Sequence, residues 1–167
     1  MTTYVVVAIL TVAVLGIVFR RAYKTFVTFR GMRVLTCPDS GQTAGVELKS
    51  CRASLTGLFG KPVLRVQECS RWPKRAGCDE GCIREVEAAP ANHRVPVMLT
   101  EWCHEHACVC CGAPIRKVHV GPHEPHLMSP ELRIIEWRQV PPQNLPQVLD
   151  TCGPVCENCL LAETHTW

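Results

Sequence analysis

The chain has 167 residues, enough for one small domain with a membrane anchor or for two very small domains. Only 6% of the residues are aromatic, while 13 are proline and 12 are cysteine, so the apolar core should be thin and should need a metal or disulfides. Five of the 18 Lys and Arg residues fall before residue 34, which leaves 13 against 15 Asp and Glu in the rest. A domain without an excess of positive charge is not expected to bind nucleic acid.

The N-terminus predicts a transmembrane helix. Residues 2–19 contain no charged residue and no proline, and as a helix they would be about 27 Å long, close to the thickness of a bilayer core. The competing interpretation is a cleaved signal peptide, which needs a basic segment before the apolar run and small residues at the cleavage site. No Lys or Arg precedes the apolar run, and Val18–Arg21 is a poor cleavage site, so the sequence favours an uncleaved anchor over residues 1–23.

The charges beside this run predict its orientation. All five basic residues lie on its C-terminal side: Arg20, Arg21, Lys24, Arg30 and Arg33. The last three belong to residues 24–35, which are predicted to be a juxtamembrane connector. Since positive residues stay on the cytoplasmic side, the C-terminal domain should be cytoplasmic. In that reducing compartment the cysteines should be thiolate ligands, whereas the opposite orientation would favour a disulfide framework.

Two cysteine clusters follow the connector, over residues 36–90 and 91–167. In the first, residues 36–41 are typical of a turn and residues 46–59 of a strand that runs into a helix. Apolar and polar residues alternate over residues 62–69, which predicts a strand. Residues 78–89 are predicted to form a helix.

The second cluster also mixes helices and strands. Residues 93–106 predict a helix that tolerates Pro96 in its first turn. The remaining elements, in chain order, are strands at 115–121 and 131–140, a short helix or loop at 141–150, and a terminal helix at 154–165.

The strongest chemical signal is a pair of CxxC motifs, Cys108/Cys111 followed by Gly112, and Cys156/Cys159. Zinc takes four ligands in a tetrahedron, and two intervening residues let one turn direct both sulfurs to the metal. A thiolate at the start of the terminal helix is also favoured by the helix dipole. The order of turn, strands and helix is typical of a zinc ribbon or treble clef, although the two pairs are farther apart than in a minimal ribbon.

A second possible metal site consists of Cys37, Cys69, Cys78 and Cys82. Cys78 and Cys82 are four residues apart and would share a helix face. The alternative is that these are structural cysteines packed in a small core. The other four cysteines are predicted to be thiols without a metal: Cys51, Cys103, Cys110 and Cys152.

Two other chemistries stay open. Cys110–Gly112 forms a CCG motif that, with Cys78 and the last CxxC, is loosely similar to the iron–sulfur domains of heterodisulfide reductases, and four thiolates suit a cluster as well as zinc. A thiol redox enzyme would place its CxxC near a βαβ pattern, which the sequence lacks. Since no nucleotide-binding or nucleophile motif is present, a non-enzymatic role is favoured.

Five segments together resemble a family of small bacterial, single-span, cysteine-rich membrane proteins without an assigned activity: LTCPDSG, ECSRWP, CxxCG, EWRQVPPQNLPQVL and PVCENC. The resemblance covers residues 35–163. It implies that the eight cysteines of the two quartets are recurring positions and that the protein lies in the bacterial inner membrane. It implies no substrate and no reaction.

The sequence thus predicts an α+β fold in which an N-terminal transmembrane helix precedes a small metal-stabilised domain with zinc-ribbon-like features. The predicted function is zinc binding with a structural, assembly or interaction role, and the alternatives are iron–sulfur electron transfer and thiol redox catalysis. The expected partners are the lipid bilayer and another membrane protein or complex.

Overall fold

The computed structural model describes residues 2–74, 77–115 and 126–164 and shows the predicted mixture of helices and strands. Turns of 3-10 helix at Trp137–Gln139 and Pro142–Asn144 precede the fifth α-helix. The other elements are, in chain order, α1 (Thr2–Phe29), β1 (Met32–Thr36), β2 (Thr43–Leu48), α2 (Ser50–Thr56), β3 (Val66–Cys69), α3 (Ile83–Ala88), α4 (Val95–Glu105), β4 (His126–Met128), β5 (Ile134–Ile135), α5 (Leu145–Thr151), β6 (Gly153–Val155) and α6 (Glu157–Thr164).

Helix α1 is long and apolar enough to cross a membrane. Its 28 residues make about 42 Å of helix at 1.5 Å per residue. The side chains of residues 2–21 are exposed, and a bilayer would remove this apolar surface from water. A signal sequence near an N-terminus can satisfy the same criteria of length and composition, so these two properties are shared by an anchor and a cleaved leader.

The C-terminal end of α1 is part of the folded domain. The Ser54 hydroxyl on α2 donates a hydrogen bond of 2.7 Å to the Ala22 carbonyl. A Cβ added to Gly57 would lie 3.2 Å from the Thr25 methyl group, so the absence of a side chain lets the two helices approach closely. Phe29 is buried in the core. The last two turns of α1 therefore continue from the apolar segment into the domain without a break.

Strand β1 lies between two hydrophobic cores. It pairs antiparallel with β2, which pairs antiparallel with β3, in the order β1-β2-β3. Because side chains alternate along a strand, Leu35 faces one core and Val34 the other. The first core comprises Phe29, Leu35, Ala44, Val46, Leu48, Ala53, Leu64, Val66 and Val86. The second comprises Val34, Val95, Leu99, Leu127, Leu145 and Leu149.

The second sheet has the order β5-β4-β6, and both of its strand pairs are antiparallel. Leu127 in the central strand is opposite Ile135 on one side and Pro154 on the other. Leu127 is fully buried and belongs to the second core, where α4 and α5 cover it. The last strand of this sheet, β6, ends directly before the second CxxC motif.

Arg33 is buried, which corrects its placement among the exposed basic residues beside the membrane. Its Nη1 group donates hydrogen bonds to the carbonyls of Pro90 (2.9 Å) and Asn92 (3.0 Å), and its Nη2 group donates to the Thr28 carbonyl. Burial and the nearby Arg94 lower the pKa of Arg33 to about 10, so it stays charged at neutral pH. Arg33 therefore fastens the end of α1 to the loop that precedes α4. The segment 24–35 consists of the end of α1, a turn and most of β1.

Several predicted elements are confirmed and others are shorter. The helix predicted at 93–106 is α4, with Pro96 in its first turn. The helix predicted at 78–89 begins only at Ile83, since the loop before it contains Glu80 at a positive φ of 57°. The strand predicted at 131–140 is limited to the two residues of β5, because the chain then turns into a 3-10 helix. Most of the strand predicted at 115–121 lies outside the described residues.

Candidate metal centre

The first CxxC motif lies on a tight turn. The Cys108 amide donates to the Ala113 carbonyl (2.9 Å), and the Gly112 amide donates to the Cys108 carbonyl (2.8 Å). Gly112 has a φ of 71°, a conformation that side chains disfavour and glycine adopts readily. An antiparallel bridge between Ala107 and Pro114 closes the base of the turn. The turn therefore holds Cys108 and Cys111 on the same side.

The second CxxC motif lies where β6 gives way to α6. Cys156 directly precedes α6, and the amides of Cys159 and Leu160 both donate to its carbonyl at 3.1 Å. Because residues three apart on a helix lie on one face, Cys156 and Cys159 can direct their sulfurs to a common point. This agrees with the predicted helix opening at Cys156.

The turn that holds Cys108 and Cys111 contacts β6 directly. The Val109 amide donates to the Pro154 carbonyl at 3.0 Å, and the Cys156 amide donates to the Cys108 sulfur at 3.3 Å. Val109 packs so closely on Gly153 that there is no room for a Cβ at residue 153. Sequence reasoning missed this support, although the Gly-Pro pair before the second CxxC was a signal that another backbone approaches there.

The four sulfurs of Cys108, Cys111, Cys156 and Cys159, here called the C-terminal quartet, all lie within 4.8 Å of one another. The Cys111 and Cys156 sulfurs are 3.7 Å apart. Four sulfurs at a Zn–S distance near 2.3 Å define a tetrahedron with an edge of about 3.8 Å. In the part of the chain that is described, no other group of candidate ligands is drawn together so closely. The C-terminal quartet could therefore hold one metal ion.

The electrostatics of the quartet favour a bound cation. Burial raises the pKa of Cys108, but amide groups of Cys156, Cys111 and Cys110 donate to its sulfur and bring the pKa down to about 6. Contacts with the sulfurs of Cys111 and Cys156 raise the pKa of Cys159. Like charges at this separation disfavour each other's ionisation, so four thiolates can coexist only with a positive ion between them.

Replacing Gly153 by alanine tests how the quartet is assembled. The new Cβ would collide with the Val109 side chain and push the first turn away from β6. Since groups that support metal ligands are worth about 10- to 100-fold in affinity, we expect Gly153→Ala to weaken zinc binding at this site to that extent. Competition with a chromophoric chelator measures the change.

A second substitution provides the control. The Val109 Cβ lies 3.4 Å from the added Cβ, which is an ordinary contact, so shortening this side chain removes the collision. The double variant Gly153→Ala/Val109→Ala should therefore recover most of the affinity. Gly60→Ala, in open space, should change nothing. Equal weakening in the single and double variants would contradict the proposed contact.

The other predicted quartet, Cys37, Cys69, Cys78 and Cys82, is here called the N-terminal quartet. Its members surround one cavity of about 30 Å³. Burial raises the pKa of Cys82 to about 11, and the nearby Cys69 and Cys78 contribute to the shift. Cys69 and Cys82 pack against the first core. The structure thus places together four residues that come from separate parts of the sequence.

The four remaining cysteines belong to neither quartet. Cys103 on α4 is fully buried, and burial raises its pKa to about 11. Cys51 and Cys110 are exposed, and Cys152 is partly exposed. All twelve cysteines lie in the described ranges, and none of them forms a disulfide.

No protein-family model, no curated protein and no solved structure matches the chain. The function proposed below is therefore inferred from the local geometry of the chain.

Proposed function

We propose that this protein is a membrane-anchored, zinc-binding protein in which the metal has a structural role. The observation that carries the proposal is the convergence of four cysteine sulfurs within 4.8 Å. Structural zinc sites use four protein ligands, whereas catalytic zinc sites use three and keep a position open for water. Four cysteines would fill all positions around the metal, which supports a structural role.

The sulfur spacing also favours a single ion over an iron–sulfur cluster. In a four-iron cluster each cysteine binds a different iron, so the sulfurs lie around the outside of the cluster. The 3.7 Å separation of the Cys111 and Cys156 sulfurs instead matches two ligands of one ion. Zinc is the metal that most often occupies a closed site of four cysteines.

The thiol redox alternative has one observation in its favour. The pKa of Cys108 is lowered to about 6, and a lowered pKa is typical of reactive cysteines. Cys108 is, however, only 2% exposed, and a redox partner needs access to the attacking sulfur. The exposed thiol of the pair is Cys111. The burial of Cys108 therefore supports a metal ligand over a nucleophile.

Metal analysis of the full chain, purified in detergent without oxygen, tests this function. We expect at least one zinc per chain and a colourless protein. Visible absorption together with stoichiometric iron and sulfide would contradict zinc binding and establish an iron–sulfur cluster instead. Less than one metal per chain, together with a reversible disulfide at Cys108–Cys111 or Cys156–Cys159, would establish the thiol redox alternative instead.

We further propose that α1 is an uncleaved anchor of the bacterial inner membrane and that the rest of the chain is cytoplasmic. Packing of Ala22, Thr25 and Phe29 into the domain supports retention of the helix. The exposed Arg20, Arg21, Lys24 and Arg30 support the orientation through the positive-inside rule. In this position the domain could assist assembly or interact with another membrane protein. Membership of the bacterial family that the sequence resembles is part of this proposal.

Membrane attachment and orientation give a direct prediction. The full chain should sediment with the membrane fraction, resist extraction by carbonate, and keep its N-terminal residues in an intact-mass measurement. A fluorescent reporter at the C-terminus should be active, and a periplasmic phosphatase reporter there should be inactive. A mature chain that begins near residue 20 would show cleavage, and phosphatase activity would show the opposite orientation.

A further inference from the structure

The N-terminal quartet is assembled by three separate segments. Cys37 directly follows β1, Cys69 is the last residue of β3, and Cys78 and Cys82 flank the loop that leads into α3. All four line the same cavity of about 30 Å³. A cavity of about 10–15 Å³ already holds one water molecule, so this one has room for a single ion.

We propose that Cys37, Cys69, Cys78 and Cys82 bind a second zinc ion. The proposal rests on the position of these four cysteines around a cavity beside the first core. It does not depend on whether the C-terminal quartet binds metal. The chain would then contain one metal site beside each of its two cores.

The turn at Cys37 has the same hydrogen bonds as the turn at Cys108. The Cys37 amide donates to the Gln42 carbonyl (2.9 Å), and the Gly41 amide donates to the Cys37 carbonyl (2.8 Å). At Cys108 the partners are also five and four residues further on, with distances of 2.9 Å and 2.8 Å. Gly41 has a φ of 63°, in the same left-handed region as Gly112. One backbone conformation thus presents a cysteine in each half of the protein.

The loop 78–82 also lies close to this turn, although less close than β6 lies to the turn at Cys108. A Cβ added to Gly81 would lie 3.1 Å from the Cγ atom of Pro38, the residue after Cys37. Cys69 is paired with Val46 across the sheet, and Val46 also lines the cavity. Glycine and strand pairing therefore hold the three segments together around the cavity.

Three acidic residues line the cavity, Asp39, Asp79 and Glu80, and the last two already accept hydrogen bonds from nearby backbone amides. Glu80 accepts a hydrogen bond from the Val66 amide (3.0 Å) and forms an ion pair of 3.8 Å with Arg65. Asp79 accepts a hydrogen bond from the Gly81 amide at 3.1 Å. Thiolates are also the protein ligands that zinc prefers in structural sites.

A site of four thiolates and zinc has a net charge of −2, and the lining of the cavity combines apolar side chains, one arginine and three carboxylates. Ala44, Val46 and Trp72 belong to the apolar part of this lining, and apolar surroundings strengthen the attraction between a zinc ion and thiolates. Arg71 lines the same cavity and supplies a positive charge. The metal would tie the end of β1, the end of β3 and the start of α3 to the first core.

The test is zinc stoichiometry in the full chain in detergent, measured by native mass spectrometry after loading with zinc alone. The wild type should bind two zinc ions. Cys37→Ser/Cys69→Ser should bind one, and Cys108→Ser/Cys111→Ser should also bind one. The matched control Cys51→Ser replaces an exposed cysteine outside both quartets and should still bind two.

The outcomes separate this proposal from the function proposed above. A single zinc in the wild type that is lost in Cys108→Ser/Cys111→Ser would overturn the second site and keep the first. A single zinc that is lost only in Cys37→Ser/Cys69→Ser would overturn the function proposed for the C-terminal quartet and keep the second site.

A measurement on the wild-type chain covers the case in which Cys37→Ser/Cys69→Ser fails to fold. The zinc-loaded chain is treated with an alkylating reagent, and modified cysteines are located by peptide mass spectrometry. The N-terminal quartet should be protected with zinc and labelled after a chelator is added, while Cys51 should be labelled in both states. Labelling of Cys37 and Cys69 at the rate of Cys51 in the zinc-loaded chain would contradict the proposal.

Discussion

Cys108→Ser or Cys111→Ser should remove the metal of the C-terminal quartet and lower the midpoint of thermal unfolding by roughly 10 °C. A ligand present at about 1,000 times its dissociation constant stabilises the native state by about 4 kcal/mol, and 1 kcal/mol shifts the midpoint of a chain of this size by about 2–4 °C. The Cys156 amide also donates a hydrogen bond to the Cys108 sulfur, so loss of that sulfur also loosens the start of α6. Zinc content and a thermal scan in the same detergent measure both effects.

Cys110→Ser is the matched control for these variants. Cys110 lies between the two ligands and contributes its backbone amide to the Cys108 sulfur, which serine keeps. Zinc content and thermal midpoint should therefore stay at the wild-type values. Loss of the metal in Cys110→Ser would contradict the assignment of ligands and would favour the CCG-type iron–sulfur alternative.

Arg33→Met should destabilise the domain by about 3 kcal/mol or more. The substitution removes three hydrogen bonds from the guanidinium to the carbonyls of Pro90, Asn92 and Thr28, and a hydrogen bond to a charged group contributes about 1.5–3 kcal/mol. Lysine cannot replace the planar guanidinium that reaches these carbonyls together, so Arg33→Lys should recover little. Denaturant unfolding of the full chain in detergent measures the change.

Arg30→Met separates packing from membrane charge. It also removes one positive charge near the C-terminal end of α1, but the Arg30 side chain is exposed. We expect less than about 0.5 kcal/mol of change, as is usual for surface substitutions. Similar stability loss in both variants would mean that Arg33 acts through its charge near the membrane and not through its buried hydrogen bonds.

The C-terminal quartet was predictable because its information is local. Two residues between cysteines, a glycine after Cys111 and a helix beginning at Cys156 each favour a metal-binding geometry within a few residues. The contact between Val109 and Gly153 was not predictable, since it joins residues that are far apart in the sequence. Pattern reasoning thus identified the four cysteines that converge and missed the packing that brings the two pairs together.

Arg33 shows the opposite limit. In the sequence it follows an apolar run and other basic residues, which is the pattern of a membrane interface. Its acceptors at Pro90 and Asn92 are backbone carbonyls of a distant loop, and carbonyls carry no sequence signature. Burial of a charge could therefore be recognised only in the folded chain.

The N-terminal quartet lies between these cases. Cys78 and Cys82 were predicted to share a helix face, but α3 begins at Ile83 and Glu80 has a positive φ, so they flank a loop. The matching turns at Cys37 and Cys108 differ in sequence and share only the cysteine and the glycine four residues later. Such a likeness of backbone is visible in hydrogen bonds and not in residue patterns.

X-ray absorption at the zinc edge of the full, metal-loaded chain tests the central claim most directly. We predict a first shell of four sulfur atoms at about 2.3 Å and no nearby second metal. A shell dominated by nitrogen or oxygen, or a metal neighbour at short distance, would contradict a closed site of four cysteines around a single zinc ion.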